Sequence, residues 1–338
     1  MLAVLVGVGC AAANAGGHVQ WPEQRSLRAN PNAESQAVSG GFFYSLVSQR
    51  PGGHGPFVLE RTSMATGVVQ KKRRVSFDDL SVASGRLWLS HSCARQQELV
   101  EVDPQQLARI LMIALPRAST RCPSLAVASG RRGSVWIGTE RTLLRVAVAT
   151  GKTVLRVTMA PRLQISDIAV DPAGGRLYVS ASHAVGGGGI EGDVIFEYDA
   201  LSGRLLAHVD RGPITYSVAG AALTAVPGGV WVSFRTGMLG ATLHLRERNL
   251  TLAPPGAAVF DEPATGVFHW AMWGETIYGG GALWLANQEQ VVACIDPATG
   301  KVRARMRFPS PPGKLSGLLE STRREAAFTS SSGRESSS

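Results

Sequence analysis

Apolar and polar residues alternate with a period of two along most of this chain, the spacing of strands rather than helices. The pattern is clearest from Thr276 to Phe308. Gly279-Gly280-Gly281 leads into Ala282-Leu283-Trp284-Leu285-Ala286, and a polar break at Asn287 to Gln290 follows. Val291 to Ile295 is a second apolar run. It ends at Asp296-Pro297-Ala298-Thr299-Gly300-Lys301, where Asp and Pro favour a turn and Gly accepts a positive φ. Val302 to Phe308 closes the unit. This spacing predicts four short antiparallel strands joined by tight turns. Helical periodicity is scarce. Gln105 to Ala114 is its best candidate, and that stretch also reads as a strand.

The unit recurs. Leu87-Trp88-Leu89-Ser90, Val135-Trp136-Ile137-Gly138, Leu177-Tyr178-Val179-Ser180 and Val230-Trp231-Val232-Ser233 each follow a glycine-containing turn. From Trp88 through Trp136, Tyr178, Trp231 and Trp284 the aromatic recurs every 42 to 53 residues. The turn after the third strand recurs as well, at Val102-Asp103-Pro104, Val148 to Lys152, Tyr198 to Arg204 and Ile295 to Lys301. A blurred copy is Met64 to Val68. Four strands repeated at periods near 40–50 residues are the signature of a β-propeller.

These motifs resemble the secreted bacterial β-propellers grouped as quinoprotein-like or YVTN-type repeats. The carriers are the Gly-Gly-x-Leu/Val-Trp/Tyr-Val/Leu core and the Asp-Pro-x-Thr-Gly-Lys turn. The resemblance implies an all-β propeller and says little about activity, because propellers host lyases, hydrolases, dehydrogenases and scaffolds alike. The expected fold is seven four-stranded blades, with six as the alternative. Blades are placed at about 38–76, 79–115, 123–159, 165–210, 215–253 and 274–309. A seventh would combine Leu315 to Phe328 with a strand lent by Ser35 to Ser39, closing the ring and removing its last open edges. The domain organisation is then a leader and tether over 1–31, one propeller over 32–328 and a disordered Ser-rich tail over 329–338.

The opening run Met1 to Cys10, MLAVLVGVGC, is too short to span a bilayer. It resembles the hydrophobic region of a bacterial lipoprotein signal, with Val6 to Cys10 as a degenerate lipobox. The resemblance implies lipidation at Cys10, a membrane anchor and an extracytoplasmic place in the cell envelope, or secretion. The competing reading is a buried strand. The chain carries 34 Lys and Arg against 25 Asp and Glu, a formal charge of +9. That balance favours anionic surfaces. Basic and aromatic residues are not interleaved as base stacking requires, so no nucleic-acid partner is expected.

Candidate chemistry sits where the second-to-third-strand loops and the entrances to the first strands share one face of the ring. His91 and His183 occupy equivalent places there, and Asp79, Asp167, Tyr216, Arg235 and Glu275 stand near them. With Asp79 or Asp167 the histidines could form an acid–base or metal cluster, but their spacing also suits solvated loops. Gly186 to Gly189 lacks the Lys-Ser/Thr of a phosphate loop and reads as a hairpin tip. Trp270 and Trp273 lie off the repeat and read as a plug or an aromatic wall. Cys93 and Cys122 fall on the same face of neighbouring blades, which in an exported protein suggests a disulfide. Unpaired thiols are the alternative in a reducing compartment. Cys294, inside an apolar strand, reads as a buried small hydrophobe. Lys71-Lys72-Arg73-Arg74 falls on an outermost strand, where charge protects a sheet edge or meets anionic lipid. No catalytic residue, metal site or cofactor is assigned. The expectation is a monomeric scaffold binding a protein or small molecule at the propeller face. The alternative is a lyase or hydrolase at the channel mouth.

Overall fold

A computed structural model describes residues 33–307 except 40–41, 51–55, 64–65, 67, 92–96, 118–124, 185–189, 211–216, 237–238, 253–275, 280 and 287–290. The described residues form six antiparallel sheets, five of four strands and one of three. Each sheet is built from consecutive strands in chain order, a plain up-and-down meander. The sheets span residues 33–75, 79–114, 125–158, 163–210, 217–246 and 276–307. The fifth sheet has three strands, and Leu252 adds a single bridge beside Leu245. Arg109–Ala114, ambiguous in sequence, is a strand.

The inner strands are Ala33–Ser39, Asp79–Ala83, Leu125–Ser129, Leu163–Val170, Ser217–Val226 and Thr276–Gly279, and each packs against the next in that order. Ser35 to Ser39 is therefore not lent to a seventh sheet. It is the first sheet's own inner strand, with Ser39 opposite Phe42 and Gln36 opposite Ser45. The physical reason is local. Gly40-Gly41 leaves only two residues between the strands, the length of a tight hairpin. Leu315 to Phe328 lies outside the described residues.

No sheet hides its faces alone. Separate apolar cores fill the gaps between sheets one and two, two and three, three and four, and four and five. The second-strand aromatics Tyr44, Trp88, Trp136, Tyr178 and Trp231 are all fully buried. Each is paired across the ladder with a polar residue, in order Arg61, Glu101, Arg145, Glu197 and His244.

From this pair of positions one sheet reaches the turn of the next. Tyr44 Oη donates to the carbonyl of Pro104 at 3.1 Å, and Arg61 donates to the same oxygen at 3.2 Å. Trp136 Nε1 donates to the carbonyl of Ala200 at 3.2 Å, beside Arg145. Trp231 Nε1 donates to the carbonyl of Pro297 at 3.0 Å. In the fourth sheet the carboxylate does this work. Glu197 accepts from the Arg248 amide at 2.7 Å, while the Tyr178 hydroxyl is buried without a partner. Burial pushes the Glu197 carboxyl up, and the Arg248 amide and the Arg176 guanidinium at 3.0 Å oppose that.

The receiving turns are rigid for a reason legible in their residues. Asp199 Oδ1 accepts the amides of Leu201 at 3.1 Å and Ser202 at 2.7 Å, and Asp296 Oδ1 those of Ala298 at 3.0 Å and Thr299 at 2.8 Å. Gly203 and Gly300 follow at φ near +70°, where a side chain would be strained. The second sheet places Leu107 there at φ 55° and offsets the strain by burying it in the first core.

His244 is the weak member of the series. Its ring stacks on Trp231 at 4.8 Å with an interplanar angle of 2°, and both ring nitrogens are buried without a partner. Burial, helped by Arg246, pushes its pKa from 6.5 down to about 4. The unfolded chain takes up a proton as pH falls through 6.5, whereas the folded chain does not until about 4. Stability is full above pH 6.5 and falls between those values, by on the order of 3 kcal/mol at most. Denaturant titrations across that range are expected to show the loss, and His244→Phe is expected to flatten it.

Candidate functional site

The two aspartates singled out in the sequence occupy equivalent positions. Asp79 lies opposite Ser90, and Asp167 lies opposite Ser180. Each caps the amide that follows it, Leu80 and Ile168 respectively, both at 2.8 Å. Each also ties its sheet to a neighbour. Asp79 accepts the Ser35 hydroxyl at 3.0 Å, from the first sheet. Asp167 accepts the Leu223 amide at 2.7 Å, from the fifth. Ser180 Oγ adds a 2.6 Å bond to the Ala221 carbonyl. These carboxylates strap inner strands together around the hub.

The histidines are not brought together. His91 follows the second sheet's second strand, and its ring lies tilted against Phe77 with centroids 4.6 Å apart. His183 belongs to the fourth sheet, with the third sheet between them, and its Nε2 lies 3.9 Å from the Asp210 carboxylate. Arg235 stands in the fifth sheet opposite Gly240. Tyr216, Glu275, Gly186 to Gly189, Trp270, Trp273, Cys10, Cys93 and Cys122 lie outside the described residues. Among the described residues no three His, Cys, Asp or Glu side chains form a group that could hold a metal.

Cys294 corrects the sequence reading. It is buried, as expected, but it is disulfide-bonded. It sits opposite Trp284, at the place from which Arg61, Arg145 and Glu197 reach out of their own sheets. Its partner is one of the three remaining cysteines, since the chain has four. A lipidated Cys10 and a Cys93–Cys122 bond therefore cannot both hold.

The concave site lies at the other end of the sheets. A cavity of about 550 Å³ opens where the first and second strands turn, lined by Ser129, Arg131, Asp171, Leu223, Thr224 and Tyr278. These residues come from the third, fourth, fifth and sixth sheets, so the cavity belongs to the hub. His183 is paired with Leu163, at the far end of the strand that begins the Val170–Gly174 side. The Arg131 stem lies over the fourth-sheet turn, so close that a Cβ at Gly174 would clash with its Cγ. Asp171 accepts the Arg176 amide at 2.7 Å. Sequence reasoning favoured the opposite end, where the second-to-third-strand loops and the entrances to the first strands share one face. The short turns here give no signal in one chain, since their residues converge only across four sheets.

No family model and no curated protein matches the sequence. Solved structures do. BamB from Moraxella catarrhalis is similar at 12% identity and a TM-score of 0.50, over 82% of this chain and 77% of that one. The Pan2 WD40 domain from Neurospora crassa is similar at 10% identity and a TM-score of 0.54, over 86% and 83%. The fold is that of a β-propeller. Its sheets are blades, and the likeness extends to architecture alone at this identity.

If Asp167 is a strap, its removal damages stability. Asp167→Asn keeps one acceptor and turns an amide donor toward a backbone N–H. The expected cost is about 1–3 kcal/mol in chemical denaturation. An unchanged midpoint would return Asp167 to the list of groups open to chemistry.

Proposed function

We propose that this propeller is a binding scaffold, holding a small molecule or a segment of another protein at the mouth of its hub without chemistry of its own. The supporting observation is how its charged groups are used. Asp79 and Asp167 are consumed in straps between blades, while the hub cavity gathers Arg131, Asp171 and Tyr278 beside Leu223. An apolar wall with a few convergent polar groups is the usual form of a ligand pocket, and about 550 Å³ falls within the usual range. The test is retention of envelope-fraction components on the immobilised protein. The expected result is a defined species held by the wild type and lost at least tenfold from Arg131→Ala. Equal retention by both, or none by either, would overturn the reading.

The finer reading adds export and a lipid anchor at Cys10, supported by the apolar run that ends there. Mass mapping of the non-reduced protein tests it directly. A lipidated Cys10 is expected. Cys10 joined to Cys294 by a disulfide would remove the anchor and leave export standing.

A further inference from the structure

The outer strand of the first blade, Val69–Val75, carries Lys71-Lys72-Arg73-Arg74, and all four side chains are exposed. Four adjacent cations repel one another, and among the described residues the chain itself supplies an anion to Lys72 alone, so an external anion is the natural complement of the rest. The neighbouring blade's surface says which anion.

Register places the cations on both faces of the strand. Arg73 lies opposite Leu59 and Lys71 opposite Arg61. Leu59 packs in the core shared with the second blade, so Lys71 and Arg73 turn toward that blade. Lys71 Nζ confirms the direction by donating to Gln106 at 3.3 Å. Lys72 and Arg74 turn the other way, and Lys72 pairs with Glu60 at 2.6 Å. Among the described residues neither Arg73 nor Arg74 has an acidic partner.

The second blade's outer strand, Arg109–Ala114, supplies the other wall. Leu111 and Ile113 pack toward the third blade. Met112 lies opposite Val100, which faces the first blade, so Met112 and Ile110 look back toward the basic strand. They are 47% and 55% exposed, and Val68 beside the basic run is 59% exposed. The rim between blades one and two thus combines aliphatic side chains with a ring of cations. The outer strands Lys152–Thr158 and Leu205–Asp210 have no comparable run of charge.

We infer that this stretch of rim is a peripheral contact for membranes rich in anionic lipid. A bound peptide would address one face of the strand. Cations projecting from both faces, with aliphatic side chains among them, match a planar array of anionic headgroups over an apolar layer. No aromatic side chain stands on the patch to stack a base, which sets nucleic acid aside.

The test is vesicle co-sedimentation of the full chain prepared without lipid on Cys10. Vesicles of phosphatidylglycerol in phosphatidylcholine are compared with phosphatidylcholine alone. Binding to the anionic vesicles only, weakened by salt, is expected. Charge reversal at Lys71, Arg73 and Arg74 to Glu is expected to lower it on the order of a hundredfold. Met112→Ser with Ile110→Ser is expected to weaken the part that survives high salt. Should the reversed strand fail to fold, Arg73→Gln with Arg74→Gln serves in its place, with circular dichroism as the check. Equal binding to both kinds of vesicle, or no effect of either set of variants, would overturn the proposal. So would tighter retention on duplex DNA or on RNA than on the vesicles.

Discussion

A buried aromatic on the second strand of one blade, reaching a backbone carbonyl in the turn of the next, is the contact on which the architecture turns. An antiparallel sheet of four short strands has two faces and cannot bury either by itself. Stacking the sheets in sequence buries both. It also creates a problem, because the strand ends bring polar backbone to a dry interface. Tyr44, Trp136 and Trp231 solve it by supplying a donor at the tip of a large apolar body. Their ladder partners Arg61 and Arg145 supply a second.

Where the donor fails, the sequence shows other solutions to the same constraint. Trp88 turns back to the Ala83 carbonyl of its own blade. The third blade's turn, Ala147 to Gly151, lacks the leading aspartate that the second, fourth and sixth carry at Asp103, Asp199 and Asp296. Tyr178 leaves its hydroxyl unsatisfied, and Glu197 takes the neighbouring amide instead. At the last described blade the position holds Cys294, which is disulfide-bonded. A covalent link needs no desolvated polar group.

The candidate carboxylates follow the same logic at the hub. Inner strands of successive blades run close together but do not pair as a sheet, so polar groups along them, a hydroxyl at Ser35 and an amide at Leu223, need other acceptors. Asp79 and Asp167 provide them. A carboxylate at a strand entrance looks the same in sequence whether it will bond a substrate or a neighbouring backbone. The difference lies in what stands beside it, and for Asp167 that is Leu223, fifty-six residues on.

Period and turn chemistry alone determined much of this protein. Alternating runs marked most of the strand regions, the recurring aromatic marked the second strands of all sheets but the first, and Asp-x-x-x-Gly marked the turns at Asp199 and Asp296. Those features are legible because they are local, acting over a few residues through φ preference and side-chain alternation. Three matters were decided only by the tertiary structure. Ser35 to Ser39 joined its own neighbour, because a two-residue link outweighs a distant edge. Cys294 found a sulfur far along the chain. The hub cavity assembled from single residues of four blades at the end with the shorter loops. Each depends on which segments of a long chain meet, and a ring brings together residues whose spacing along the chain carries no record of the meeting.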